Sequence, residues 1–337
     1  MSEFPDWLSE VLGAGLPAAG ARAEVNGRSV VADGGILRAE EFVSDAQGQT
    51  RETFGFKWQK RETFEGSVAA NMRRWLIEKY GDVPNAPWFA EHGEAPVLLD
   101  AGCGAALSSI ELFGPVLDRI RFIGADVSPA VDVARDRFAE RDYGGGFIQA
   151  DLQQLPLPPE SVDLIFSEGV LHHCDDTRAA LTAVTRHLKP GGRILFYVYR
   201  KKGPIREFTD DHIRDQLQPM SPDAAWDAVM PLSKLGRILG ELDIEIDVPE
   251  AIDVLEIPAG KINLQRLFYW HVFKAFYRPD MTLDEMNHIN YDWYAPRNAH
   301  RHSEAEVRDW CAGLGLTIEH EKIEEAGITV IARKAVA

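Results

Sequence analysis

Between residues 96 and 200, short apolar runs alternate with segments of helical periodicity. "PVLLDAG" reads as a buried strand ending in a glycine turn. "SSIELFGPVLDRI" follows as a helix, with Ser108 or Ser109 available to cap it. "RFIGADVS", "GFIQADL", "SVDLIFSEG" and "RILFYVYR" supply four more strands. The helices "PAVDVARDRFAERD" and "DTRAALTAVTRHLKPGG" lie among them, the second stopping at Pro-Gly-Gly. Apolar strands alternating with helices call for a parallel sheet covered on both faces, the doubly wound α/β arrangement.

The rhythm changes after residue 202. Residues 203–302 mix prolines with helical patterns such as "DAAWDAVMPLSKLGRIL" and "KINLQRLFYWHVFKAFY". "SEAEVRDWCAGLGL" then reads as a capped helix, with Ser303 and Glu306 at capping-box spacing and Gly313 near its end. "TIEHEKI" and "GITVIARK" close the sheet as two strands. The expected organisation is an N-terminal helical cap or lid over 1–94 and a core formed by 95–202 and 303–337. A mostly helical insertion after the fifth strand, residues 203–302, forms the substrate-binding cap.

Composition narrows the chemistry. The formal charge is −17, from 36 basic and 53 acidic residues, and no run of Lys/Arg offsets it locally. Such a field repels phosphate backbones, so the expected substrate is a small molecule and not nucleic acid. Cys103, Cys174 and Cys311 fit neither a disulfide framework nor a CxxC zinc pattern. With an acidic N-terminus and no apolar run of membrane-spanning length, the expectation is a cytoplasmic protein without a membrane partner. A homodimer is compatible with all of this.

The chemistry-bearing stretch is "VLLDAGCGAALSS", residues 97–109, where a strand meets a helix through Asp100-Ala-Gly-Cys-Gly. Glycines admit a ligand close to the backbone, and a helix start offers free N–H groups. Asp126 ends the second strand, 22 residues after Gly104, where a doubly wound nucleotide fold places a carboxylate for ribose hydroxyls. Asp151 ends the third strand, in reach of an adenine amine. The third glycine of a dinucleotide fingerprint is absent, and Asp100 adds a charge that a pyrophosphate would oppose. This set weighs against an NAD(P)-dependent oxidoreductase and suits a cationic nucleoside with an amino-acid tail, such as S-adenosylmethionine.

In "LLDAGCG", "IGADVS", "FIQADLQQLPL", "VDLIFSEGVLHH" and "LKPGGRILFYVY" the chain resembles the class I S-adenosylmethionine-dependent methyltransferases. The likeness is good over residues 95–200 and looser in the final strand pair. It implies a seven-stranded Rossmann-like sheet with the last strand antiparallel and S-adenosylmethionine as methyl donor, S-adenosylhomocysteine being the product. Carried over by position, Gly102 and Gly104 pass close to the methionine part and Asp100 orients its ammonium. Asp126 and the adjoining Val127 meet the ribose, Asp151 and Leu152 the adenine, and Ser167 and Glu168 the methionine side. Aminopropyl transfer on a similar fold carries no specific signal here, and a non-catalytic binding subunit stays open as an alternative.

Transfer to a hydroxyl or ammonium needs a base. His172 and His173, in "EGVLHHCDD" after the fourth strand, are candidates. Contiguous His, Cys and Asp residues rarely face one centre, so no metal is expected there. In "YDWYAPRNAHRHSEAEV", residues 291–307, Tyr291, Trp293 and Tyr294 suggest an apolar wall for the acceptor. Arg297 and Arg301 suggest an anion site, with His300 and His302 as further candidate bases. In "FGFKWQKRETF", Phe56, Lys57 and Trp58 are lid candidates, with Lys60 and Arg61 interleaved, and Lys57 and Trp58 are also assigned to the substrate. "FYWHVFKAFYRP" reads as core.

Overall fold

The computed structural model describes residues 4–39, 44–60, 63 and 67–336. The chain opens with a short helix α1 (Asp6–Leu12) and three strands, β1 (Arg22–Val25), β2 (Arg28–Asp33) and β3 (Ile36–Ala39). Two helices follow, α2 (Asp45–Gln59) and α3 (Ser67–Tyr80). The alternating unit then runs β4 (Val97–Ala101), α4 (Leu107–Phe113), β5 (Arg121–Asp126), α5 (Ala130–Ala139), β6 (Gly146–Gln149), β7 (Val162–Glu168), α6 (Thr177–Thr185) and β8 (Leu188–Tyr199). The insertion holds α7 (Pro204–Leu217), α8 (Pro222–Glu241), a hairpin of β9 (Glu245–Val248) and β10 (Gly260–Asn263), then α9 (Leu264–His271) and α10 (Leu283–Tyr294). The chain closes with α11 (Glu304–Gly313), β11 (Leu316–Ile323) and β12 (Gly327–Lys334).

One sheet organises the molecule, in the order β1-β2-β3-β6-β5-β4-β7-β8-β12-β11. Strands β6, β5, β4, β7 and β8 are parallel, and β12 is antiparallel to both β8 and β11. This is the doubly wound class I methyltransferase arrangement, with the strand order reversing at β4. Strand alternation sends Leu99 and Ala101 to one apolar face and Leu98 to the other. Phe122, Phe147, Phe166 and Leu195 share the second face with Ile110 and Phe113 of α4.

Ten strands replace the expected seven, because residues 22–39 extend the sheet instead of capping it. Val25 pairs with Arg28 across Asn26-Gly27, and Asp33 with Ile36 across Gly34-Gly35. All four turn residues have φ between 50° and 76°. Two-residue hairpins need that left-handed backbone, which Asn-Gly and Gly-Gly provide. β3 then pairs parallel to β6.

Three local expectations also shift. α4 starts at Leu107 without a side-chain cap, because Ser109 turns inward to Asp100. Pro190-Gly191-Gly192 lies inside β8, which starts at Leu188. "KINLQRLFYWHVFKAFY" is part strand β10, part α9, and irregular after His271. The capping box at Ser303 and Glu306 forms as expected, with both hydrogen bonds present.

Candidate active site

The carboxyl edge at the β4 reversal point is where open α/β sheets hold ligands. There the backbone N–H groups of Gly102 and Cys103 both donate to the Ala125 carbonyl, at 2.7 and 3.0 Å, folding the turn against β5. Gly102 has φ 89°, and a Cβ on it would meet Val170 at 2.1 Å. Gly104 has φ 50°, with Trp58 of α2 packed directly over it.

Two carboxylates border this turn. Asp126 accepts from the Gly104 N–H at 2.8 Å and from both the N–H and the hydroxyl of Ser128. Asp100 accepts from Ser109 at 2.6 Å. Burial pushes the Asp100 carboxyl up to about 7, with Ser109 opposing and the charges of Asp126 and Glu168 adding to the rise. Burial also raises Asp126, against its hydrogen bonds to Ser128 and Gly104. Among the described residues neither acid has a cationic side chain bonded to it. Buried acids without countercharge beside a glycine turn suit a positively charged ligand with hydroxyls, as S-adenosylmethionine is. Asp151 caps the short turn after β6, accepting from the Gln153 N–H at 2.7 Å, and burial raises it too. The Val127 carbonyl accepts from Gln149, and Leu152 is buried in the core.

The last two residues expected on the methionine side have other partners. The Ser167 hydroxyl donates to the Ala101 carbonyl at 2.8 Å, tying β7 to β4. Glu168 is bound by the Lys79 ammonium and the Tyr80 hydroxyl, both from α3. Lys79 is fully buried, and its Nζ lies 3.4 and 3.9 Å from the ring centroids of Tyr197 and Trp75. Burial lowers its ammonium to about 8, with Glu168 opposing.

Beyond β7 the edge becomes aromatic. The His172 ring stacks on Tyr199 at 3.7 Å and neighbours His173 at 4.2 Å. His172 is fully buried with neither ring nitrogen hydrogen-bonded among the described residues, and burial holds it well below its ordinary value. His173 places Nδ1 2.6 Å from the Asn298 carbonyl, while its buried Nε2 has no hydrogen-bond partner among the described residues. A carbonyl only accepts, so Nδ1 carries the proton and Nε2 keeps its lone pair. Burial lowers His173 to about 4, against the pull of Asp292 and the Asn298 bond. Asp292 in turn accepts from the Tyr199 hydroxyl at 3.0 Å and from the Lys57 ammonium. Burial would raise this carboxyl, but Lys57, His173 and Lys274 together hold it well below the usual range.

The aromatic and basic residues of 291–302 separate. Tyr291 packs between Phe56 and Trp226, and the Tyr294 hydroxyl accepts from the Lys274 N–H. Both tyrosines are fully buried scaffold, so they are no open wall. Trp293 is buried and stacks on Tyr199 at 4.3 Å. Arg297, His300, Arg301 and His302 instead line an outward cleft of about 480 Å³ with Glu207, Asp211 and Glu306. Arg301 is paired there with Glu207 and Asp211, which leaves it no spare charge for an anion. His302 bonds Thr177 at the start of α6 and packs on Trp310, and burial lowers it to about 4. The His300 N–H donates to the His172 carbonyl. α10 buries most of its residues, and of 295–302 only Arg297 is exposed, with Asn298, Ala299 and His302 buried.

On the lid side, Lys57 is buried against Asp292 and lies 4.2 Å from the Trp58 ring centroid. Lys60 lies over Phe56 and Trp226. Arg61 lies outside the described residues. Asp292, Tyr197, Tyr199 and Lys79 were not singled out from sequence, although alternating tyrosines at the end of β8 are a readable signal. Among the described residues no group of three or more His, Cys, Asp or Glu has metal-site geometry, and no helix is long and apolar enough to cross a membrane.

Residues 99–196 match the family described as methyltransferase domain. A malonyl-[acyl-carrier protein] O-methyltransferase of Serratia marcescens is 33% identical over 41% of this chain and 49% of its own. A ubiquinone/menaquinone biosynthesis C-methyltransferase of Vibrio campbellii is 29% identical over 39% of this chain and 52% of its own. The chain thus spans about half the length of these curated relatives. Among solved structures, a magnesium protoporphyrin IX methyltransferase from Synechocystis aligns over 88% of this chain and 100% of its own, at 14% identity and a TM-score of 0.47. The resemblance drawn from the sequence motifs is borne out: residues 99–196 form a methyltransferase domain of the class that uses S-adenosylmethionine.

Proposed function

We propose that this chain, built around the methyltransferase domain of residues 99–196, transfers a methyl group from S-adenosylmethionine to an oxygen or nitrogen of a small-molecule acceptor. The observation that carries this reading is the His173 imidazole, neutral, oriented by the Asn298 carbonyl, with a buried Nε2 that has no hydrogen-bond partner among the described residues. The donor, when bound, supplies a methyl on a sulfonium already activated for in-line displacement. Gly102 and Gly104 admit it close to the backbone, Asp126 takes the ribose hydroxyls with Val127 alongside, and Asp151 and Leu152 face the adenine. Asp100 complements the amino-acid ammonium. Ser167 and Glu168 act indirectly, by holding β4, β7 and α3 together.

On the acceptor side, Nε2 of His173 takes the proton that leaves the acceptor hydroxyl or ammonium. The negative Asp292 nearby stabilises the imidazolium that results. Tyr199 and Lys57 hold Asp292 in place. His172 packs beside His173 and excludes water from the ring edge. Lys57 and Trp58 bring α2 across the site as its cover.

Calorimetric titration with S-adenosylhomocysteine and with NAD tests the donor. Binding of the first alone is expected, and binding of NAD alone would sink the reading. Transfer of labelled methyl to hydroxyl and amine acceptors tests catalysis. Full S-adenosylhomocysteine affinity with turnover lost in His173→Ala is the expected pair of results. Unchanged turnover would remove His173 as the base, and binding without transfer to any acceptor would favour a non-catalytic subunit.

A further inference from the structure

Four cations surround one buried indole. The Lys274 and Lys202 ammoniums lie 4.7 and 5.4 Å from the Trp293 ring centroid, and the guanidinium carbons of Arg206 and Arg214 lie at 5.6 and 5.4 Å. One fully buried carboxylate, Asp210, answers them. It pairs with Arg206 through both oxygens, at 3.2 and 3.0 Å, and accepts from the Trp293 Nε1–H at 2.9 Å. Arg214 donates to the Trp293 carbonyl and to Asp211.

The two lysines are left over. Among the described residues, Lys202 Nζ hydrogen-bonds only the carbonyl oxygens of Arg200 and Ala326, at 2.7 and 3.0 Å. Lys274 is 7% exposed, and its Nζ makes no hydrogen bond among the described residues. Asp292 attracts Lys274, but that carboxylate is already bonded to Lys57 and Tyr199. Removing an ammonium from water without a bonded counterion is unfavourable, and burial pushes both lysines down to about 7. The arrangement gains stability if an anion arrives. It also adjoins the proposed acceptor site, because Trp293 stacks on Tyr199 at 4.3 Å and Tyr199 on His172 at 3.7 Å.

We propose that Lys202 and Lys274 bind an oxyanion carried by the methyl acceptor, a carboxylate or a phosphate, beside Trp293. The anionic end of the acceptor then sits at Trp293, away from the reacting atom. Ammonium groups bind such oxygens through charge-assisted hydrogen bonds. The Arg206–Asp210 pair holds the insertion to this floor and takes no part in binding. This inference rests on the methyltransferase reading above.

The test is calorimetric titration of the full chain, saturated with S-adenosylhomocysteine, with malonate and separately with inorganic phosphate. Dimethyl malonate serves as the uncharged control. One of the two anions is expected to bind, and which one does identifies the group. Lys274→Met and Lys202→Met should each weaken that binding by roughly 10- to 100-fold, the range for a hydrogen bond to a charged group. Lys274→Arg, which keeps the charge, should retain it. S-adenosylhomocysteine affinity, unchanged in all three variants, shows that they fold. No binding of either anion overturns the proposal, as does equal binding by dimethyl malonate or by both methionine variants. Wild-type protein that fails to bind S-adenosylhomocysteine overturns the methyltransferase reading instead, and the oxyanion site with it.

Discussion

Trp58 stands over Gly104: its Nε1 lies 2.8 Å from the position that a Cβ on that glycine would occupy. An N-terminal helix thereby closes on the turn that ends the first strand of the parallel unit. Gly104→Ala should force the two apart and strain a backbone at φ 50°. The left-handed backbone alone costs about 1–2 kcal/mol for a non-glycine residue. S-adenosylhomocysteine affinity should fall by about tenfold or more. Adding Trp58→Ala should restore part of it, and calorimetry on the double variant decides whether the contact matters.

Asp126 organises the same turn through Gly104 and Ser128. Asp126→Ala should weaken S-adenosylhomocysteine binding by about 1.5–3 kcal/mol, the cost of charge-assisted hydrogen bonds to ribose. An unchanged dissociation constant would refute the ribose assignment.

Lys79 and Glu168 form a buried ion pair between α3 and β7. Lys79→Met leaves a buried carboxylate uncompensated and should cost about 3–5 kcal/mol of stability. The double variant Lys79→Met with Glu168→Gln should recover most of that, because it removes the stranded charge. Denaturant unfolding of the four-member cycle measures the coupling. A loss in the double variant equal to the sum of the two single losses would show that the pair is not coupled.

Acid should destabilise the protein. His172, His173, His288 and His302 all titrate below their ordinary value when folded, chiefly through burial. Between pH 6 and pH 4.5 the unfolded chain therefore binds more protons at these sites. Their stabilising effect, complete above the unfolded histidine value, is lost as pH falls towards about 4. Each contributes a slope of at most about 1.4 kcal/mol per pH unit. Asp100, raised to about 7, opposes them. Urea unfolding should show lower stability at pH 4.5 than at pH 6, with a shallower fall in His173→Gln. A flat profile would contradict the buried neutral histidines.

The parallel strands were readable because each is an apolar run within one local window, bounded by its own turn. The acids at the carboxyl edge were placed by the same local signal: Asp100 lies in β4, Asp126 ends β5 and Asp151 follows β6. The N-terminal strands were equally local, marked by Asn26-Gly27 and Gly34-Gly35, but they are short and polar, and their pairing with β6 spans more than 100 residues. The proposed acceptor side was only partly legible. His172 and His173 stand out by position. The lone pair on Nε2 of His173 depends on a carbonyl 125 residues away, at Asn298.

By itself, then, the sequence determined the doubly wound sheet, the glycine turn and its acids, because hydrophobic period and strand ends are properties of neighbouring residues. The tertiary structure decided which side chains meet. It buried Tyr291 and Tyr294, exposed Arg297, paired Arg301 with Glu207 and Asp211, and drew Lys79 onto Glu168. It also gathered Lys202, Arg206, Arg214 and Lys274 around Trp293, from three separate parts of the insertion and its junction with β8. Whether a buried charge has a partner depends on contacts across the whole fold, and no local pattern of residues carries that information.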